Sequence, residues 1–146
     1  MHLFVLLSYL VLTCSGYGNM LGAPKEIPPD EDTFKTLGQE LQRVAQKFNR
    51  VQGLQNLHVV SKVLNATTQV VAGTKYTLFV EFSPTSCKTA TSNDFLAVDT
   101  ALINRDSCAI VGGESKVCKV TIWQRPWLDS DESEIIDIVK CSTKDT

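Results

Sequence analysis

The chain has only two histidines in 146 residues, His2 and His58. That scarcity argues against hydrolytic chemistry, because a serine or cysteine nucleophile needs a base beside it. His58 falls inside an apolar, strand-like run and reads as a strand-surface histidine rather than a catalytic one. An excess of charge of one sign is also lacking: Lys and Arg total 14 against 16 Asp and Glu, a net charge of −2. Such a balance offers no electrostatic footprint for nucleic acid. No apolar run approaches the ~20 residues of a membrane span, and no Gly-rich phosphate loop appears. The carboxylates Asp129, Asp131, Glu132 and Glu134 read as a solvated loop. The expectation is a protein that is not an enzyme and takes no cofactor, no metal, no nucleic acid and no membrane. Low-complexity sequence is absent too. At 43% apolar residues the chain can bury the core of one domain and is neither disordered nor collagen-like.

What is there begins with an N-terminal segment to set aside. Met1 to Gly18 contains no Lys, Arg, Asp or Glu, and Leu3 to Leu12 is apolar apart from Ser8 and Tyr9. Gly16 and Gly18 then stand at the −3 and −1 positions of a cleavage after Gly18. This is the pattern of a secretory signal peptide over residues 1–18, leaving residues 19–146 as one secreted, extracellular domain. Removing the leader takes away Cys14 and leaves Cys87, Cys108, Cys118 and Cys141, an even number suited to disulfides in an oxidising compartment. Zinc is disfavoured, because gaps of 20, 9 and 22 residues lack the close ligand pairs of zinc sites. Four cysteines allow three connectivities, and the sequence alone leaves all three open. A hairpin joining Lys116–Gln124 to Glu134–Cys141 favours Cys118 with Cys141, and sequential pairing then leaves Cys87 with Cys108.

The remaining chain divides into four parts. Asn19 to Glu31 is an irregular arm carrying Gly22, Pro24, Pro28 and Pro29. From Asp32 or Thr33 to about Asn49, the residues Phe34, Leu37, Leu41, Val44, Ala45 and Phe48 repeat at the spacing of one helical face. Asp30, Glu31 and Asp32 at its start and Arg43 and Lys47 near its end match the helix dipole. Gly38 lies near the apolar face, where it is expected to permit close approach to a sheet. Leu57–Val71 and Thr74–Ser83 then read as strands around a break at Ala72-Gly73, with Tyr76, Leu78, Val80 and Phe82 on one face. Pro84 to Gly113 reads as a long connection bearing Cys87 and Cys108, and Lys116–Gln124 with Glu134–Cys141 form a second hairpin. One helix followed by antiparallel strands is an α+β fold, with the helix covering one face of the sheet.

Three features point to binding. The first hairpin turns through Gln69-Val70-Val71-Ala72-Gly73, an uncharged and apolar tip where turns ordinarily carry polar residues, with Gly73 free to take the positive φ of a tight turn. The second carries Pro126-Trp127 in its loop beside Trp123, and a loop tryptophan is a typical interface anchor. The arm offers Leu21-Gly22, an apolar residue before a flexible one. Together they form an apolar edge of two hairpin tips and an arm.

In this order, with a leader and four late cysteines, these residues resemble the type 2 cystatins, secreted inhibitors of papain-like cysteine proteases. The matching residues are Gly22 of the arm, Gln69, Val71 and Gly73 of a Gln-x-Val-x-Gly loop, and the pair Pro126-Trp127. The resemblance spans Asn19 to Thr146. It implies a long helix gripped by a curved antiparallel sheet of four to five strands, with disulfides paired in sequence. It also implies reversible, competitive inhibition of cathepsin-type proteases by a wedge. Val70, Val71 and Ala72 would desolvate the cleft, Trp127 would anchor the primed side and Leu21 would fill the non-primed pocket. The inhibitor is expected as a monomer; a cystatin-fold binding or signalling protein without inhibitory activity is the alternative. Some type 2 cystatins also block legumain through an asparagine between helix and next strand. The corresponding place, near Gly53, has no Ser-Asn-Asp; Asn56 is a poor substitute, and Ser92-Asn93-Asp94 stands in the long connection. No strong legumain inhibition is expected. Two modification motifs remain: the sequon Asn65-Ala66-Thr67, and Ser130 in the acidic context Ser130-Asp131-Glu132, with cation binding by that loop as its companion reading.

Overall fold

The computed structural model describes residues 22–88 and 108–144. Residues 1–21, with the expected leader and Leu21, and most of the expected long connection, including Ser92-Asn93-Asp94, lie outside the described residues. The arm is not wholly irregular: Lys25–Ile27 forms strand β1, which pairs antiparallel with the second strand and turns Ile27 toward the core. Pro28 and Pro29 follow at once and end it, since proline cannot donate to a ladder.

The single expected helix is two. Helix α1, Glu31–Thr36, starts at Asp30, whose Oδ1 accepts the Thr33 N–H at 2.8 Å. That bond from the Thr33 main chain holds the Asp30 carboxyl below the usual carboxylate range. Helix α2 spans Gly38–Gln52, and Leu37, at φ −94° and ψ 15°, caps one helix and opens the other. The interruption falls where glycine, a poor helix former, begins the second segment. The expected close approach at Gly38 does not occur, because a Cβ there would meet nothing within 4 Å. Helix α2 runs three residues past the expected end at Asn49 and stops at Gly53, whose φ of +57° is the left-handed cap glycine takes readily.

Four long strands follow: β2 Asn56–Val71, β3 Gly73–Lys88, β4 Lys116–Gln124 and β5 Glu134–Thr143. With β1 they make a five-stranded antiparallel sheet in the order β1-β2-β3-β4-β5. The α+β architecture is the one expected. Strand β3 nonetheless continues beyond Ser83 to Lys88, past Pro84. The proline is tolerated because it faces a register irregularity, the shift between Asn56 and His58 on β2, where a missing N–H breaks no regular ladder. On the other flank Ile110 bridges Thr85, and Val111 donates its N–H to the Pro84 carbonyl at 3.0 Å.

Leu41, Val44, Ala45 and Phe48 of α2 pack on Val60, Val63 and Ala66 of β2 and on Leu78, Val80 and Phe82 of β3. Phe48 and Phe82, both fully buried, stack with centroids 3.9 Å apart. His58 is buried here too, beside Phe48, rather than on the strand surface; its Nδ1 lies 2.8 Å from the Asn56 carbonyl. Asn49, also buried, donates its amide to the Ala45 and His58 carbonyls and accepts the His58 N–H, tying the helix end to the start of β2. Disulfides join Cys87 to Cys108 and Cys118 to Cys141. The second bridges directly opposed residues of β4 and β5, so it closes the hairpin at the end away from its loop.

Replacing Phe48 by alanine empties the centre of this core and should lower the unfolding free energy by about 3–5 kcal/mol. Val51→Ala, on the exposed side of the same helix at 62% exposure, should change it by no more than about 0.5 kcal/mol. Urea unfolding of the two variants checks both values.

Candidate functional site

Strand pairing decides which residues stand at the end of the sheet. In the first hairpin Val71 pairs with Gly73, so Ala72 alone forms the tip. Gly73 sits at φ +92°, and a Cβ there would lie 2.0 Å from the Gln124 carbonyl oxygen and 3.2 Å from Cη2 of Trp127. Glycine is therefore required twice, by the backbone conformation and by the close approach of the end of β4. The apolar residues before it are open to solvent: Val70 is 72% exposed and Val71 38%.

The second hairpin comes to the same end. Its loop is closed at the base by the Arg125 N–H, which donates to Ser133 O at 2.6 Å, and turned by Leu128, whose N–H donates to Arg125 O at 3.0 Å. Pro126 and Trp127 occupy this turn, and Trp127 is 59% exposed. The indole N–H of Trp123, at the end of β4, donates to the Ala72 carbonyl at 2.8 Å and pins one tip to the other. The Arg125 guanidinium lies over the Trp123 ring, 4.6 Å from its centroid. Helix α2 braces the base of the loop. Gln124 donates to Glu40 at 3.1 Å, and Arg43 makes a two-point contact with Glu134, at 2.6 and 3.0 Å. Those bonds to Glu134 raise the Arg43 pKa and favour its charged form.

The arm is the third element. Continuing the β1–β2 register from Lys25 opposite Thr68 brings Gly22 beside the first tip, and the Gln69 side chain donates to the Gly22 carbonyl at 2.6 Å. Gly22 takes φ +92°, and a Cβ on it would come within 3.3 Å of the Val70 carbonyl. The structure thus brings together Gly22, Gln69 to Gly73, Pro126 and Trp127. Leu21 lies outside the described residues.

Two ties escaped the sequence reading. Gln69, grouped there with the contact residues, is half-buried and holds the arm; Trp123, noted only as a neighbour of Pro126-Trp127, holds the first tip. The available signal was that a strand-end tryptophan needs an acceptor for its N–H. None of Gly22, Gln69 to Gly73, Pro126 and Trp127 has a titratable or nucleophilic side chain. No His/Cys/Asp/Glu group among the described residues is arranged to hold a metal, and no described helix is long and apolar enough to cross a membrane. Asn65 is exposed on β2, well away from the tips, and Ser130 is exposed in the second loop, its carbonyl accepting the Ser133 hydroxyl at 3.0 Å.

Comparison with known proteins agrees with this arrangement. Cystatin cpi-1 of Brugia malayi is 31% identical over 108 residues, which cover 70% of this chain and 78% of that protein. T-kininogen 2 of Rattus norvegicus is 29% identical over 126 residues, 85% of this chain, and the chain spans 25% of the kininogen's length. The crystal structure of Al-CPI superposes with a TM-score of 0.60 at 27% identity, covering 84% of this chain and 100% of that one. The family model of the Cystatin domain matches residues 22–127, from the glycine of the arm to the tryptophan of the second tip, and the chain belongs to the cystatin family.

Proposed function

We propose that this chain is a secreted, type 2 cystatin that inhibits papain-like, cathepsin-type cysteine proteases reversibly and competitively. Family membership supports cysteine protease inhibition broadly. The observation that carries the finer reading is the convergence of three segments on one end of the sheet, with Val70, Val71 and Trp127 exposed there and held from behind by Gln69, Trp123 and Arg43. Exposed apolar residues on a braced edge lose little conformational freedom on docking, so less of the contact energy is spent on ordering them.

In this reading the edge acts as a wedge. The first tip enters the protease cleft with Val70, Val71 and Ala72 displacing water near the catalytic cysteine, while Pro126 and Trp127 cover the primed side. Leu21, continuing from Gly22, occupies the apolar non-primed pocket. No peptide bond is offered to the thiolate, so the inhibitor is not consumed. The four cysteines of residues 19–146 are taken up in two disulfides, and the domain would act as a monomer after loss of residues 1–18. No asparagine is presented at Gly53, so legumain is not a strong target.

Titration of the purified protein against a papain-like protease, with substrate competition, tests the reading. A folded protein that does not compete with substrate would move it to the non-inhibitory binding class. Trp127→Ala should raise the inhibition constant about 30-fold or more, equivalent to ~2 kcal/mol at a hot spot. Gly73→Glu should weaken inhibition as well, since the Cβ meets backbone and the carboxylate must be desolvated. Circular dichroism on both variants confirms that the sheet survives.

Deleting residues 19–22 probes the arm separately. The inhibition constant should rise roughly 10–150-fold if Leu21 contributes ~1.5–3 kcal/mol by full burial in a protease pocket. The melting temperature should hardly move, because a segment ahead of the helices adds little to the core. Equal inhibition by truncated and intact protein would assign binding to the two hairpins alone.

A further inference from the structure

We propose that Asn65 carries an N-linked glycan that sits on the outer face of the sheet, over Leu64 and Phe79, and leaves the tips clear. The inference rests on the secretion reading above. Asn65-Ala66-Thr67 is the one Asn-X-Ser/Thr sequence in the 146 residues, and this motif is the acceptor for N-linked glycans at the surface of secreted chains.

The fold puts this sequon where a glycan fits. Ala66 is 1% exposed and points into the core, whereas Asn65 is exposed on the opposite face. It lies at a register shift between Val63 and Asn65 that leaves Leu64 as an extra residue on β2. Strand β1 reaches only as far as Ile27 opposite Ala66 before Pro28 ends it, so the flank of β2 beside Asn65 is not covered by that strand. Directly across the ladder stands Phe79, 40% exposed, and Leu64 is 38% exposed. Side chains of paired residues on one face lie within ~5.5 Å, close enough for the apolar face of the first sugar to rest on the ring. These groups otherwise leave hydrophobic surface beside a strand edge, a combination that invites edge-to-edge pairing and that bulky polar cover prevents.

The reaction joins Asn65 Nδ2 to the anomeric carbon of a lipid-pyrophosphate-linked oligosaccharide. The lipid pyrophosphate leaves, and one amide proton is released. Asn65 stands seven positions before Ala72 along an extended strand, ~23 Å at ~3.3 Å per residue, so the attached sugar starts far from the first tip. A glycan there is compatible with cleft binding, which a glycan on either loop would not be.

The test expresses the full chain in a secreting eukaryotic cell, once with its own N-terminus and once behind an unrelated secretory leader. The secreted protein should shift in mass on treatment with peptide N-glycosidase, and the peptide containing residue 65 should then read as aspartate. Asn65→Gln and Thr67→Ala should each abolish the shift, whereas Thr67→Ser should retain it. Enzymatic removal of the glycan from folded protein should leave the inhibition constant unchanged and increase self-association at high concentration. Secreted protein with the mass of the bare polypeptide from both versions overturns the proposal. So does a gain of inhibition on deglycosylation, which would place the glycan over the cleft-facing edge. A glycan found only behind the unrelated leader upholds the proposal while refuting secretion by residues 1–18.

Discussion

Everything at the end of the sheet depends on the seam between helix α2 and the inner face of β2 and β3. Phe48 stacked on Phe82, flanked by Leu41, Val44, Leu78 and Val80, fixes how far each strand runs past the helix. A slip of one residue in strand register would turn the inward set outward and expose the core. The same constraint forces Val71 opposite Gly73 and Gln124 opposite Thr74. Buried packing at the centre thus determines which residues reach solvent at the edge.

The edge itself is held by few bonds, each spanning two segments. Gln69 joins arm to hairpin, Trp123 joins the end of β4 to the first turn, and Arg43 joins helix to the start of β5. The bonds of Gln69 and Trp123 end on backbone carbonyls, so they hold the shape of the edge without consuming its exposed apolar side chains. Val70 and Trp127 stay free because the polar neighbours take up the structural work. An edge built in this way is ready before any partner arrives, which is what low ordering cost means physically. Gly73 marks the tightest point: with the Gln124 carbonyl where a Cβ would stand, the two hairpins can meet only over a glycine.

The two faces of the sheet are treated differently. The inner face is closed by helix α2 and needs no further cover. The outer face carries Leu64, Phe79 and Val139 with substantial exposure, and all three stand at register shifts of the sheet. Bulges twist an edge and disturb its hydrogen-bonding pattern, which weakens it as a template for another strand. The buried ends are managed by side chains instead: Asn49 satisfies the main chain of His58, and the Thr85 hydroxyl donates to the Leu57 carbonyl at 2.8 Å.

Local patterns in the chain determined a good deal. The helical spacing from Phe34 to Phe48, the alternation from Tyr76 to Phe82 and the breaks at Gly73 and around Pro126 are near-neighbour effects. They name the elements, the inward residues and the tips, and the motifs Gln69 to Gly73 and Pro126-Trp127 name the family. What local pattern could not decide was set by partners distant in sequence. Pro84 sits inside a strand because β2 is irregular opposite it, β1 exists because β2 offers an edge to Lys25–Ile27, and Gly38 begins a helix instead of touching the sheet. His58 is buried because Phe48 and Asn49 come to it from the helix. The double requirement for Gly73 comes from Gln124, fifty-one residues further along. Periodicity records which face a residue turns inward; only folding brings together the groups that decide how deeply it is buried and what it holds.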